Sequence, residues 1–200
     1  GMPQLALTLT DSVTRAGDVL GPDHPSTLAS RNNLAYAYRD AGRLDDAIPL
    51  FEQNLEDRTR ILGPDHPDTL TSRNNLANAY QAAGRLTDAI PLFEQNLDDR
   101  TRILGPHHPH TLTSRNNLAY VYQDAGRLDD AIPLFEQTRT DFEDLLGPHH
   151  PVTLTLRNNL ASAYRAAGRT EEAAALFETP SGSEDEQDGT ENNPGQEAGD

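Results

Sequence analysis

The 200-residue chain contains no cysteine, no tryptophan and no lysine, so all 16 of its basic residues are arginine. Without cysteine there can be no disulfide framework, thiolate metal site or thiol nucleophile, which fits a reducing, cytoplasmic setting. Without lysine the phosphate-binding P-loop is excluded. The formal charge of −16 suits neither a phosphate backbone nor an anionic lipid surface, so no nucleic acid and no membrane is expected as a partner. No window approaches the roughly 18–20 apolar residues of a membrane span, and the opening "GMPQLALTLTDS" lacks the basic start of a secretory signal. Also missing are the nucleophile elbow, the metalloprotease helix and the glycine-rich dinucleotide turn. An enzyme is not expected, and no cofactor is called for.

What the chain does have is repetition. "GPDHPSTLASRNNLA" at Gly21 recurs as "GPDHPDTLTSRNNLA" at Gly63, "GPHHPHTLTSRNNLA" at Gly105 and "GPHHPVTLTLRNNLA" at Gly147, at a constant spacing of 42 residues. Self-similarity at such a period marks a stacked array rather than one globular core. Each repeat carries two helical patterns. The first runs from about Ser26 to Ala41, with Pro25 in the first turn and Gly42 placed for a left-handed cap. The second runs from about Leu44 to Leu62, with Ala47, Ile48, Phe51 and Leu55 at helical spacing and Gly63-Pro64 as its stop. Pro49, one turn inside, forfeits one backbone hydrogen bond, so a bend rather than a break is expected.

This reading divides the chain into repeats 21–62, 63–104, 105–146 and 147–179, the last with a short second helix. Residues 1–20 read as an orphan second helix, since Leu7 to Leu20 aligns with Pro49 to Leu62. Residues 180–200 read as a disordered acidic tail, with seven acids after Ser181, no base and no large apolar side chain. One helix pair cannot bury its apolar face alone, so the pairs must stack into an all-α solenoid.

The "AGR" turn with Ala35, Tyr38, Gly42, Ala47 and Phe51 has the spacing of the tetratricopeptide repeat (TPR). The longer period, with "LGPDHPxT" and "NNLAxxY", resembles the 42-residue variety of kinesin light chains and bacterial regulatory proteins. The resemblance implies a right-handed solenoid of helix-turn-helix repeats whose first helices line a concave groove. It also implies a role as a scaffold or sensor that binds protein. Two positions depart from the family: Arg31, Arg73, Arg115 and Arg157 replace a bulky apolar residue, and Asn54 and Asn96 replace a small one.

Comparing the first two repeats separates the faces. They differ at seven of 42 positions, and the five differences in the first helix fall within an arc of roughly 140°. The opposite arc, with Leu28, Leu34, Ala35 and Tyr38, is constant and reads as core. Asn32 and Asn33 lie by angle on the changeable face yet recur as Asn74 and Asn75, Asn116 and Asn117, and Asn158 and Asn159. Between them stand Tyr36, Asn78, Tyr120 and Ser162, and beyond those Arg39, Gln81, Gln123 and Arg165. Constant amides beside variable neighbours suit an extended peptide, because an amide both donates to and accepts from any backbone while its neighbours select. The competing reading makes the amides mortar between repeats. Asparagine inside a helix costs about 0.5–0.7 kcal/mol relative to alanine, so either role must compensate for it.

The arginines at 31, 73, 115 and 157 point by angle into the seam between helices, where a guanidinium has to be paired. Glu52 or a loop carbonyl is the expected partner, and the role is structural. His107, His108, His110, His149 and His150 are dense but lie in inter-repeat turns, His108 and His150 in the place of a helix cap, so no metal site is expected. The acids of "RLDDA" and "LEDRTR" read as solvated helix surface. The leading expectation is a peptide-binding scaffold or sensor. The alternative is self-assembly into a homo-oligomer through uncapped solenoid ends, with a catalytic accessory ranked last.

Overall fold

The computed structural model describes residue 15 and residues 17–177. Eight helices follow one another: α1 (Pro25–Asp40), α2 (Leu44–Leu62), α3 (Pro67–Ala82), α4 (Leu86–Leu104), α5 (Pro109–Asp124), α6 (Leu128–Leu146), α7 (Pro151–Ala166) and α8 (Thr170–Ala175). No strand occurs among the described residues. Each helix packs on its sequence neighbours, so odd and even helices alternate along a right-handed α-solenoid. Of the orphan helix, Arg15 and the turn Gly17–Leu20 are helical; the rest of it and the acidic tail lie outside the described residues.

The helix boundaries follow from a few local devices. Every odd helix begins with proline behind a histidine N-cap. In the first, the Nδ1 atom of His24 accepts the amide N–H of Ser26 at 3.1 Å, and His66, His108 and His150 repeat the bond. Each imidazole therefore fills the role that serine or aspartate usually takes. Odd helices end where the amide of Arg43 reaches back to the carbonyl of Tyr38 across Gly42, whose φ of 73° a side chain would strain. The even helices have no side-chain N-cap. Asp45 and Asp46 stand in the first turn of α2 instead, where the helix dipole favours them. The prolines at 49, 91 and 133 sit inside unbroken helices.

The core runs the length of the stack. Its repeated units are Ala35, Ala47 and Phe51 with their counterparts, each buried except Phe177 in the last repeat, and a tyrosine from every odd helix after the first: Tyr80, Tyr122 and Tyr164. A second, smaller cluster joins Leu112, Phe142 and Leu156. Its origin is an exchange between repeats. In the earlier ones Arg58 and Arg100 donate to Ser72 and Ser114; at the equivalent place in the next junction both polar partners are replaced, by Phe142 and Leu156. A charged hydrogen bond has become an apolar contact, and neither form leaves a buried group unpaired.

Candidate functional site

The odd helices lie side by side and are tied by polar side chains. Asn32 Oδ1 receives Asn75 Nδ2 at 3.3 Å, and Asn74 Oδ1 receives Asn117 Nδ2 at 2.9 Å. The two asparagines of a pair therefore differ. The first offers an oxygen to the next repeat, and the second donates back to the previous one. Asn54 also donates to Asn32, at 3.4 Å. Asn75 is buried, Asn32, Asn74, Asn116, Asn117 and Asn159 are half-buried, and Asn33 and Asn158, at the two ends, are exposed. Among the described residues the Asn116 Oδ1 atom is buried without a partner.

The neighbouring positions make the rest of this face. Tyr36 meets Phe51 edge-on at 5.4 Å between centroids and Tyr120 meets Phe135 at 5.2 Å; burial raises both phenol pKa values. Asn78 donates to the carbonyl of Asn74 at 2.8 Å within its own helix. Gln81 reaches Asp124 in the next odd helix at 2.6 Å, and Gln123 reaches Ser162 at 3.4 Å while its Oε1 atom has no partner among the described residues. Arg39 lies 4.6 Å from the ring centroid of Tyr36 and pairs with Asp40 at 2.8 Å, so most of its charge is answered on the spot. Arg165 is exposed.

The seam arginines are paired, though not with the expected glutamate. Arg31, Arg73 and Arg115 donate to Asp57, Asp99 and Asp141, the Arg73 bond being 2.6 Å long. Arg115 and Arg157 also reach the loop carbonyls of Pro106 and Pro148. The "LEDRTR" acids thus divide: Glu56 is exposed, whereas Asp57 is 7% exposed and is no surface residue. Glu52 instead accepts the hydroxyl of Tyr80, as Glu94 accepts Tyr122 and Glu136 accepts Tyr164. Burial first, and then the glutamate, push each of these phenols up to about 12. Over the same rings lie Arg85, Arg127 and Arg169 of the "AGR" turns, 4.1 to 4.5 Å from the centroids.

Known proteins place this arrangement. The model of the tetratricopeptide repeat family matches residues 8–56, 26–98, 73–143 and 112–179, and the chain belongs to that family. Members generally mediate protein–protein interaction, and the family is generally non-catalytic. Among solved structures, one described as a Podosopora anserina kinesin light chain with nearly identical TPR-like repeats is 35% identical. The match covers 88% of this chain and 83% of that one, with a TM-score of 0.78. BtubC (BKLC) from P. vanneervenii shares the fold at 23% identity, covering 88% and 70%, with a TM-score of 0.74. MamA does so at 19% identity, covering 82% and 81%, with a TM-score of 0.55. No curated protein matches the chain. No helix of the described residues is long and apolar enough to cross a membrane.

Proposed function

We propose that the face formed by α1, α3, α5 and α7 is a peptide-binding groove, and that the protein is a cytoplasmic scaffold or sensor module of a regulatory system. The supporting observation is the combination at α5. Tyr120 is braced edge-on by Phe135 yet only half-buried, and it lies between two amide oxygens, on Asn116 and Gln123, that have no partner among the described residues. A rigid, half-exposed aromatic suits a peptide whose side chain packs on the ring, while the two amide oxygens, buried in the free chain, are opened to the peptide's N–H groups by rotation of their side chains. Tyr36, Asn78 and Ser162 hold the same place in the other repeats and give each a different neighbour for the peptide. With Arg39 answered by Asp40 and the whole chain at −16, the fitting ligand is an extended segment bearing arginine.

Titration against a library of extended peptides tests this reading. Tyr120→Ala weakens the bound peptides at least about tenfold, the loss of an aromatic anchor, and Gln123→Ala by less. If both variants bind as the unaltered protein does, the groove is not the site.

A further inference from the structure

We propose that the two ends of the array are the two halves of one repeat junction, and that copies of this chain stack head to tail through them. The observation is a break in an otherwise constant pattern. Leu28, Leu70 and Leu112 are 4%, 3% and 0% exposed, whereas their counterpart in α7, Leu154, is 40% exposed. In the earlier repeats the cover is an aliphatic pair ending the second helix: Ile61 and Leu62 flank Leu28 in one cleft, and Ile103 and Leu104 flank Leu70 in the next. α8 stops at Ala175, and from Ser181 to Asp200 there is no aromatic or large aliphatic side chain, so the segment that follows brings no such pair. Val152 adds a second apolar group, 39% exposed, where the other repeats have serine, aspartate and histidine.

The missing piece stands at the other end of the same chain. Val19 and Leu20 hold the register of Ile61 and Leu62, on a helical turn closed by Gly21 as α2 is closed by Gly63; Val19 is 79% exposed against 38% for Ile61, and Leu20 47% against 40% for Leu62. The asparagine ladder has matching loose ends. At the first two inner junctions the second amide of a pair donates to the first amide of the repeat before it, whereas at the third the Asn116 Oδ1 atom has no partner among the described residues. Asn33 is an exposed second amide and Asn158 an exposed first amide, and neither makes a side-chain hydrogen bond among the described residues. Placing Val19 and Leu20 of a second copy over Leu154 brings Asn33 of that copy to Asn158 in the same register. An acceptor and its donor are then satisfied together with the apolar cover.

The charges set the joint apart from the inner junctions. Asp18 has the register of Arg60, Arg102 and Asp144, and His149 that of Asp23, Asp65 and His107. The inner junctions pair Arg60 with Asp23 and Arg102 with Asp65, and at the third His107 contacts Asp141 at 3.5 Å with Asp144 lining the same cleft, so Asp18 of a second copy stands across from His149 where the first two junctions have an arginine and an aspartate. Arg15 is the exception. It has the register of Asp57, Asp99 and Asp141, and in the joint it faces Arg157, a like charge where each inner junction from Arg31 to Arg115 has an ion pair. The joint is therefore weaker than the inner junctions, and because it is heterologous it leaves both ends of a stack open to further copies.

Weight-average mass of the full chain over a concentration series, by light scattering or sedimentation, tests the joint. The mass rises with concentration and passes that of two chains. Leu154→Glu and Val19→Glu, each blocking one end at an exposed position, remain single chains, and their equimolar mixture forms a dimer that grows no further. Val152→Asp repeats the Leu154→Glu result by a second route. Arg15→Asp, which restores the aspartate that the inner junctions have, moves association to lower concentration. A mass fixed at one chain throughout overturns the proposal. So does a Val19→Glu variant that still pairs by itself, because the contact would then be face to face, and so does an Arg15→Asp variant that associates less.

Discussion

A single seam arginine shows where the sequence could be read and where it could not. The angle of Arg73 on α3 points it inward, and its side chain is 5% exposed. Its partner could not be read the same way. Asp98 and Asp99 are adjacent but project about 100° apart on α4, one exposed and one half-buried against the arginine, and the rotation of α4 against α3 decides which of the two is reached. Asp99 also holds Arg102, which pairs with Asp65, so a chain of four charges spans the junction. Removing Arg73 leaves a carboxylate with little water around it. Arg73→Ala is expected to lower the unfolding free energy by about 3–5 kcal/mol, the cost of breaking a buried pair. Arg157→Ala, which loses a 3.4 Å bond to a loop carbonyl, is expected to cost about 0–1 kcal/mol. Denaturant melts of the two variants check this, and equal losses would mean that burial does not set the difference.

At the scale of helices, ends are local and seams are not. The histidine before proline and the glycine after "DA" or "AA" mark the odd helices almost to the residue, because caps act within one turn. The bond from Tyr80 to Glu52 joins residues 28 apart, on α3 and α2, and no periodicity within either helix announces it. Three such bonds stitch each odd helix after the first to the even helix before it. They also titrate. These phenols are pushed up to about 12 in the folded chain, against about 10 when unfolded. Between those values the unfolded state has released protons that the folded state still holds, so stability is intact below about pH 10 and falls as pH rises toward 12. Melting temperature recorded across that window should drop. Changing Tyr80, Tyr122 and Tyr164 together to phenylalanine should flatten the dependence while lowering stability at neutral pH. An unchanged alkaline slope in that variant would assign the loss to other groups.

Across the whole molecule, a stack in which helices pack mainly on their sequence neighbours has no single core to melt at once. Its stability is a sum of repeat and junction contributions, and here the junctions are unequal. The central helices carry the most completely buried polar links, with Arg73, Asn75, Arg100 and Arg115 all under 10% exposed. The last repeat has an exposed Leu154, a six-residue α8 and Phe177 at 48% exposure, where Phe51, Phe93 and Phe135 are 1% or less. Near-identity of sequence between repeats thus conceals a gradient that only the stacking order creates: the same "RNNLA" is interior in α3 and terminal in α7. Hydrogen exchange should resolve this gradient, because local opening requires breaking only the contacts on one side of an end repeat. Amide protection is expected to be greatest in α3, α4 and α5 and to fall through α7 to α8, with the fully buried Ala77 and Ala119 helices opening last. At concentrations where copies stack, protection of α7 should rise toward that of α5, since a covered end becomes an interior one. Uniform protection along the array would show that it opens as one cooperative unit, and the inequality of its junctions would then have no energetic consequence.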